Sequence, residues 1–393
     1  MADIARTDPC GCGSGQAFEE CCISAAERLM SAPRGLQPIP QFPRGFTLDD
    51  FTPMTPEDHE FVREFTRQTQ RALVGPPDLL KTPFNGGVVR TFGDGFTWRK
   101  PTESFHEFCV WALKITFGQE WLDEQFALAE GDRHVVAKWL MDLFRLQTRD
   151  TPPDHIPGLT VASQATGSAQ ELVLLGRDLI YLAQIGKLPD RLVARLRKKS
   201  EFQGAWYEIR VASVLIHGGY EIEWIESKSE SHCEFTARHR FTQETFAVEV
   251  KSRHRPGLLN QAGDREEDPR VLADRNFRAA LEKDTRGLPL LVFVDVNMQL
   301  SNSLEDAARL WAQYMANFIH PMGLSPSEPA KFAYAVCTNF SYHQYGDAPI
   351  QGMPIVYDKF PMFSVRPCKV PELARHAVEE GLKQVGSLPP PTL

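Results

Sequence analysis

Two sets of residues in this 393-residue chain have the types and spacing to do chemistry. The first is Cys10-Gly11-Cys12, followed after eight residues by Cys21-Cys22. Four thiolates at such spacing suit tetrahedral zinc, and a site closed by four sulfurs is structural because it leaves no position for a substrate. Gly13-Ser14-Gly15 turns the chain directly after the first pair, which lets backbone amides face the sulfurs. The second set is Glu208, Glu234, Glu249 and Lys251. Strand alternation over Phe246 to Lys251 puts Glu249 and Lys251 on one face, with Val248 and Val250 on the other. A turn centred between Phe241 and Thr242 would set Glu234 opposite Glu249. Like charges across a strand pair repel unless a cation lies between them, which points to a divalent ion. Carboxylates on such an ion with a lysine beside it suit hydrolysis of a phosphodiester: the ion binds the phosphate and acidifies water, and the ammonium balances developing charge.

The elements that must carry these residues follow from hydrophobic period. Phe202, Ala205, Trp206, Ile209, Ala212 and Ile216 make an apolar helical stripe that ends at Gly218-Gly219, with Glu208 at its edge on a line with Gly204, Val211 and Leu215. A carboxylate there is costly to bury unless paired, so Glu208 is expected to reach Lys251, the ion or a water on it. Three short strands are expected at YEIEWIES, HCEFTARH and TFAVEVKSR, then a helix near 268–284 and the apolar strand LPLLVFVDV. A helix around Leu304 to Phe318 and strands at AKFAYAVCTNF and PIVYDKF complete an α/β domain. Upstream, residues 54–190 read as a helical region, with HEFCVWALKITFG, HVVAKWLMDLFRLQ and ELVLLGRDLIYLAQIG as its helices. The expected organisation is a zinc knuckle at 1–30, a proline-rich linker at 31–53, the helical region, an α/β domain at 191–385 and a frayed tail at 386–393.

Composition limits the functions open to the chain. Hydrophobic residues at 42% and charged residues at 24% are those of a globular protein with a sizeable core. Forty-three Lys and Arg against 51 Asp and Glu give a net charge of −8, which excludes binding of nucleic acid by bulk charge and requires any polyanion site to be local. Basic residues do cluster at Arg191, Arg195, Arg197, Lys198 and Lys199, and again at Arg253 and Arg255; Arg197, Lys198, Lys199, Arg253 and Arg255 are candidate phosphate contacts. The first run also reads as an ordinary solvated helix end. No apolar run approaches the roughly 18 residues needed to span a bilayer and no leader-like start is present, so a cytoplasmic protein without a membrane partner is expected. Cys109, Cys233, Cys337 and Cys368 read as buried thiols, and His217, His232, His239 and His254 as ordinary polar residues.

The stretch CGCGSGQAFEECC resembles the SEC-C motif, the zinc-binding tail of the SecA translocation ATPase that recurs at the ends of many bacterial proteins. That family has proline where Gly11 stands and lysines where this chain has Phe18, Glu19 and Glu20. The order helix with Glu, strand, strand with an acid, strand with Glu-x-Lys, helix, strand resembles the PD-(D/E)XK nuclease superfamily over about residues 195–300. The resemblance implies a restriction-endonuclease-like mixed sheet flanked by helices, and one or two Mg²⁺ or Mn²⁺ ions between Glu234 and Glu249. It further implies that Lys251 activates or positions the attacking water and that Glu208 is the helix acid. The usual Pro-Asp is here Cys233-Glu234. A metal-dependent nuclease is the resulting expectation, with DNA favoured over RNA and the knuckle serving a protein partner or substrate choice. Two other readings stay open: a catalytically inactive nucleic-acid or protein-binding module on the same fold, and an adaptor docking through its zinc knuckle.

Overall fold

The computed structural model describes residues 81–84, 87–93, 95–151, 163–226, 231–240, 242–252, 254, 259, 269–297, 332–340, 342–348 and 371–389. The expected zinc knuckle, linker, 304–318 helix and PIVYDKF strand lie outside these residues, as does Cys368. Among the described residues the fold is mixed α/β, with eight α-helices, a three-stranded sheet and a five-stranded mixed sheet.

The chain enters through β1 (Lys81–Phe84), β2 (Gly87–Phe92) and β3 (Gly95–Arg99), an antiparallel meander. This corrects the expectation of a wholly helical region. The segment is too short between its glycines for a helix, and Gly93 takes the left-handed φ of 61° that the turn into β3 requires. Four helices follow: α1 (Phe105–Phe117), α2 (Gln119–Ala127), α3 (Val135–Asp150) and α4 (Gly167–Gln184). Helix α1 starts at a capping box, in which Ser104 accepts from the Glu107 amide and the Glu107 carboxylate accepts from the Ser104 amide at 2.7 Å.

Two more helices, α5 (Asp190–Leu196) and α6 (Phe202–His217), lead into β4 (Tyr220–Trp224), β5 (Phe235–His239) and β6 (Thr245–Ser252). Helix α6 ends as its sequence requires, with Gly219 at φ 83°. Helix α7 (Pro269–Leu281) crosses to β7 (Leu290–Asp295), then β8 (Tyr334–Thr338) completes the sheet. The strand order is β4-β5-β6-β7-β8; β5 runs antiparallel to both β4 and β6, whereas β7 runs parallel to β6 and β8 parallel to β7.

Alternation sends side chains into two cores. Phe246, Val248, Val250, Leu291, Phe293, Tyr334 and Val336 join α6 in the larger core. Ala247, Leu290, Val292, Val294, Ala335 and Cys337 face Phe277 and Ala280 of α7 in a smaller one. Burial on both faces is why LPLLVFVDV is apolar without interruption. The larger core also holds Leu113, Trp139, Leu172 and Leu179 from the upstream helices, so it continues across residue 190 without a break. Cys109, Cys233 and Cys337 are buried free thiols.

A final helix, α8 (Pro371–Gly386), lies against α6. The approach is close: a Cβ on Gly381 would overlap the Val214 carbonyl, and one on Gly218 the Ala377 carbonyl. Residues 387–389 are tied down rather than frayed. Arg177 of α4 donates to the carbonyls of Gln384, Val385 and Ser387, and the Pro389 carbonyl lies 2.7 Å from His106 Nε2. Between α4 and α6 sits a fully buried ionic group. Arg210 Nε is 2.6 Å from Asp178 Oδ2, its Nη2 is 3.3 Å from Glu171 Oε2, and Arg177 Nη2 is 2.8 Å from Asp178 Oδ1.

Candidate active site

The β5–β6 hairpin fixes the first relationship. Its ladder pairs Phe235 with Val248, Thr236 with Ala247, Ala237 with Phe246 and Arg238 with Thr245. The Glu234 amide, one residue before β5 begins, donates at 3.0 Å to the carbonyl of Val248, the residue that Phe235 already faces, so the regular ladder stops at Phe235 and Glu234 stands at its end, near enough to Glu249 for its charge to raise that carboxyl. The segment before β5 is held in place by the turn after α7. The Asp284 amide donates to the Ser231 carbonyl at 2.7 Å, and His232 bridges to Asp284. The same turn carries Lys283, whose Nζ is 3.8 Å from Glu249 Oε1.

Glu249 is fully buried, with Lys251 Nζ 2.5 Å from its Oε1. Its Oε2 accepts no hydrogen bond among the described residues. Burial pushes its carboxyl up to about 7; Lys251 opposes the shift and the Glu234 charge adds to it. Glu208 is raised to about 7 as well, by burial first and then by Glu234. Cys233, beside Glu234, is held at about 12 by burial and is an inert thiol.

Glu208 does not pair with Lys251. Arg195 forks it, with Nη1 donating to Oε2 at 2.7 Å and Nη2 to Oε1 at 2.8 Å. Arg195 rather than Lys251 is thus the partner of Glu208, because α6 packs on the Val248 face of β6 while Lys251 alternates to the other; the charges of Glu234 and Glu249 still reach Glu208.

Arg197, Lys198 and Lys199 turn elsewhere. Arg197 donates to the Thr116 carbonyl at 2.9 Å, Lys198 pairs with Glu201 at 3.0 Å, and Lys199 donates to the Asp132 carbonyl. Arg253, Arg255, Cys10, Cys12, Cys21 and Cys22 lie outside the described residues. Sequence reasoning missed Lys283 as part of the site and gave Arg195 no partner. Neither carries a local signal, since each meets its acid only through tertiary packing.

Among the described residues no cluster of three His, Cys, Asp or Glu is assembled to hold a metal, and Glu208 is engaged by Arg195. The Glu234–Glu249 pair fits a lighter task. Magnesium is commonly held by one or two carboxylates and completed by water and phosphate oxygens. A buried carboxylate with an oxygen that accepts no hydrogen bond among the described residues, within the field of a second acid, is a donor set of that kind.

In comparisons with known proteins, the SEC-C motif family model matches residues 6–23. The curated proteins gave no match, and neither did the solved structures. No described helix is long and apolar enough to cross a membrane. By its residues 6–23, then, the chain is similar to SEC-C motif proteins.

Proposed function

We propose that the chain is a metal-dependent nuclease of the PD-(D/E)XK type, hydrolysing phosphodiester bonds of nucleic acid at Glu234, Glu249 and Lys251. The observation that supports this is the buried Glu249 on β6, with the Lys251 ammonium 2.5 Å from its Oε1 and the Glu234 charge near enough to raise its carboxyl. The order α6-β4-β5-β6-α7-β7 supports the same reading. A bound Mg²⁺ or Mn²⁺ would supply a Lewis acid for the scissile phosphate and a lowered pKa for the attacking water. Glu234 and Glu249 would hold that ion, and the Lys251 ammonium would orient the water and balance negative charge on the phosphate oxygens.

The match at residues 6–23 supports structural zinc on Cys10, Cys12, Cys21 and Cys22, and with it a small unit for engaging a protein partner or the substrate. One observation favours a second reading, a binding module that has lost catalysis: Lys251 already neutralises Glu249, and Cys233-Glu234 stands where the superfamily has Pro-Asp. A cleavage panel over linear, circular and single-stranded DNA and RNA, with Mg²⁺ or Mn²⁺ and Lys251→Ala alongside, separates the two. Metal-dependent cleavage lost in the variant supports the nuclease. Binding without cleavage supports the module.

A further inference from the structure

The Arg195–Glu208 pair is lopsided. The Glu208 side chain is 7% exposed and that of Arg195 is 32%, so the acid is the anchor and the guanidinium faces outward. A guanidinium carries two N–H groups on each terminal nitrogen. One on each goes to Glu208, and the other has no hydrogen-bond partner among the described residues. Nε points toward Glu201 Oε2, at 3.6 Å, too far for a hydrogen bond. Arg195 also lies within the field of Glu234, at the site's edge.

Gly204 makes room for this arrangement. It stands one helical turn before Glu208, and a Cβ there would come within 3.2 Å of Arg195 Nη2. The bare position lets the guanidinium lie close over α6, where a side chain would push it outward by a few tenths of an ångström. An arginine fixed by a buried carboxylate, partly exposed and with N–H groups left over from that pair, has the planar fork that phosphate oxygens prefer. With Arg195 bonded to both oxygens of Glu208, that acid is poorly placed to ligate an ion as well.

We infer that Arg195 is a ligand of a substrate phosphate beside the Glu234–Glu249 site, and that Glu208 is its positioning residue rather than a ligand of the ion. The inference rests on the nuclease reading for the kind of phosphate, a nucleic-acid backbone, but not on cleavage. Its test uses the full chain and a labelled oligonucleotide, single-stranded and duplex, in EDTA over a range of salt. Arg195→Gln should weaken binding about tenfold and lower the slope of log affinity against log salt by about one. Arg195→Lys, which keeps the charge without the fork, should recover part of the affinity but not all. Glu208→Gln should weaken binding in the same direction, raise KM more than it lowers kcat, and leave the Mg²⁺ concentration for half-activation unchanged.

Thermal melts separate a folding defect from a lost contact, and Arg195→Lys keeps the question open to measurement if Arg195→Gln melts early. Wild-type affinity and salt slope in Arg195→Gln would overturn the phosphate role. A raised Mg²⁺ requirement in Glu208→Gln would overturn the positioning role. If the wild type binds without cleaving, the nuclease reading fails and the inference is judged by binding alone. If it binds no oligonucleotide, both fail.

Discussion

Lys251 and Glu249, two residues apart on β6, form an ion pair in which Nζ lies 2.5 Å from Oε1 of a fully buried carboxylate. Among the described residues the ammonium is the nearest positive charge to Glu249, with Lys283 next at 3.8 Å. Lys251→Ala leaves the acid with the weaker partner and the reaction without its charge-balancing group. Cleavage should fall by roughly two orders of magnitude or more. The Mg²⁺ concentration for half-activation should stay level or fall, because a competing cation has gone. A metal titration of the cleavage rate reads both.

Glu234 tests the length of the second acid. Glu234→Asp keeps the charge and withdraws it by one methylene. A gain in Mg²⁺-dependent cleavage would mark the present glutamate as a weakened ligand, and a loss would mark a site built around the longer side chain. Glu249→Gln, in contrast, should abolish cleavage while nucleic-acid affinity in EDTA holds or rises, since a negative charge leaves the site. Cleavage retained in Glu249→Gln would remove the pair from the mechanism.

The charged face of β6 was legible in the sequence because strand alternation is a local property, with Val248 and Val250 on the other face; the place of Glu234 was less so, because the ladder ends at Phe235 and the Glu234 amide turns to the Val248 carbonyl. The stripe of α6 and its glycine stop were legible for the same reason. The Arg195–Glu208 fork was not, because it depends on the angle at which α5 enters α6. The β1–β3 meander was hidden by a helical pattern that begins immediately after it. Helix α8 was missed because PELARHAVEEGLKQVG carries a proline at its start and Gly381 within it; only the groove on α6 explains that glycine.

Asp295 gives the pH dependence. It is fully buried at the end of β7, where Oδ1 accepts from the Phe340 amide at 3.0 Å and from Thr338 Oγ1 at 3.1 Å. Burial raises its carboxyl to about 7 from an ordinary 3.8, and Glu171 of α4 adds to the rise while Arg210 of α6 opposes it. Because the folded value lies above the unfolded one, the native state holds the proton more tightly. Stability contributed by the neutral acid is present at low pH and lost as pH climbs from about 4 to about 7. Asp295→Asn should match the wild type near the bottom of that window, exceed it above the top, and flatten the profile between. Urea unfolding across the window measures this, and an unchanged slope would mean that Asp295 titrates normally.

Arg210 neutralises two buried acids at once, Asp178 at 2.6 Å and Glu171 at 3.3 Å, and its guanidinium covers the rings of Trp206 and Phe340. Arg210→Met keeps much of the volume but leaves those charges uncompensated, with an expected loss of about 3–5 kcal/mol. Adding Glu171→Gln and Asp178→Asn to the same chain should restore much of it. Denaturant midpoints of the single and triple variants decide, and a single variant near the wild type would show that the group is neutral in the folded protein.

The placement of α8 has a consequence for synthesis. Helix α6 and the hairpin bearing the acids leave the ribosome well before residues 371–386, yet the groove along Val214 and Gly218 is filled by those late residues alone among the described ones. Until then the nascent chain carries a nearly complete sheet with an open apolar seam along its central helix. Exposed surface of that kind is what chaperones bind and what drives aggregation of incomplete chains. A chain ending before α8 is therefore expected to leave that seam open and to be a target for chaperones and proteases.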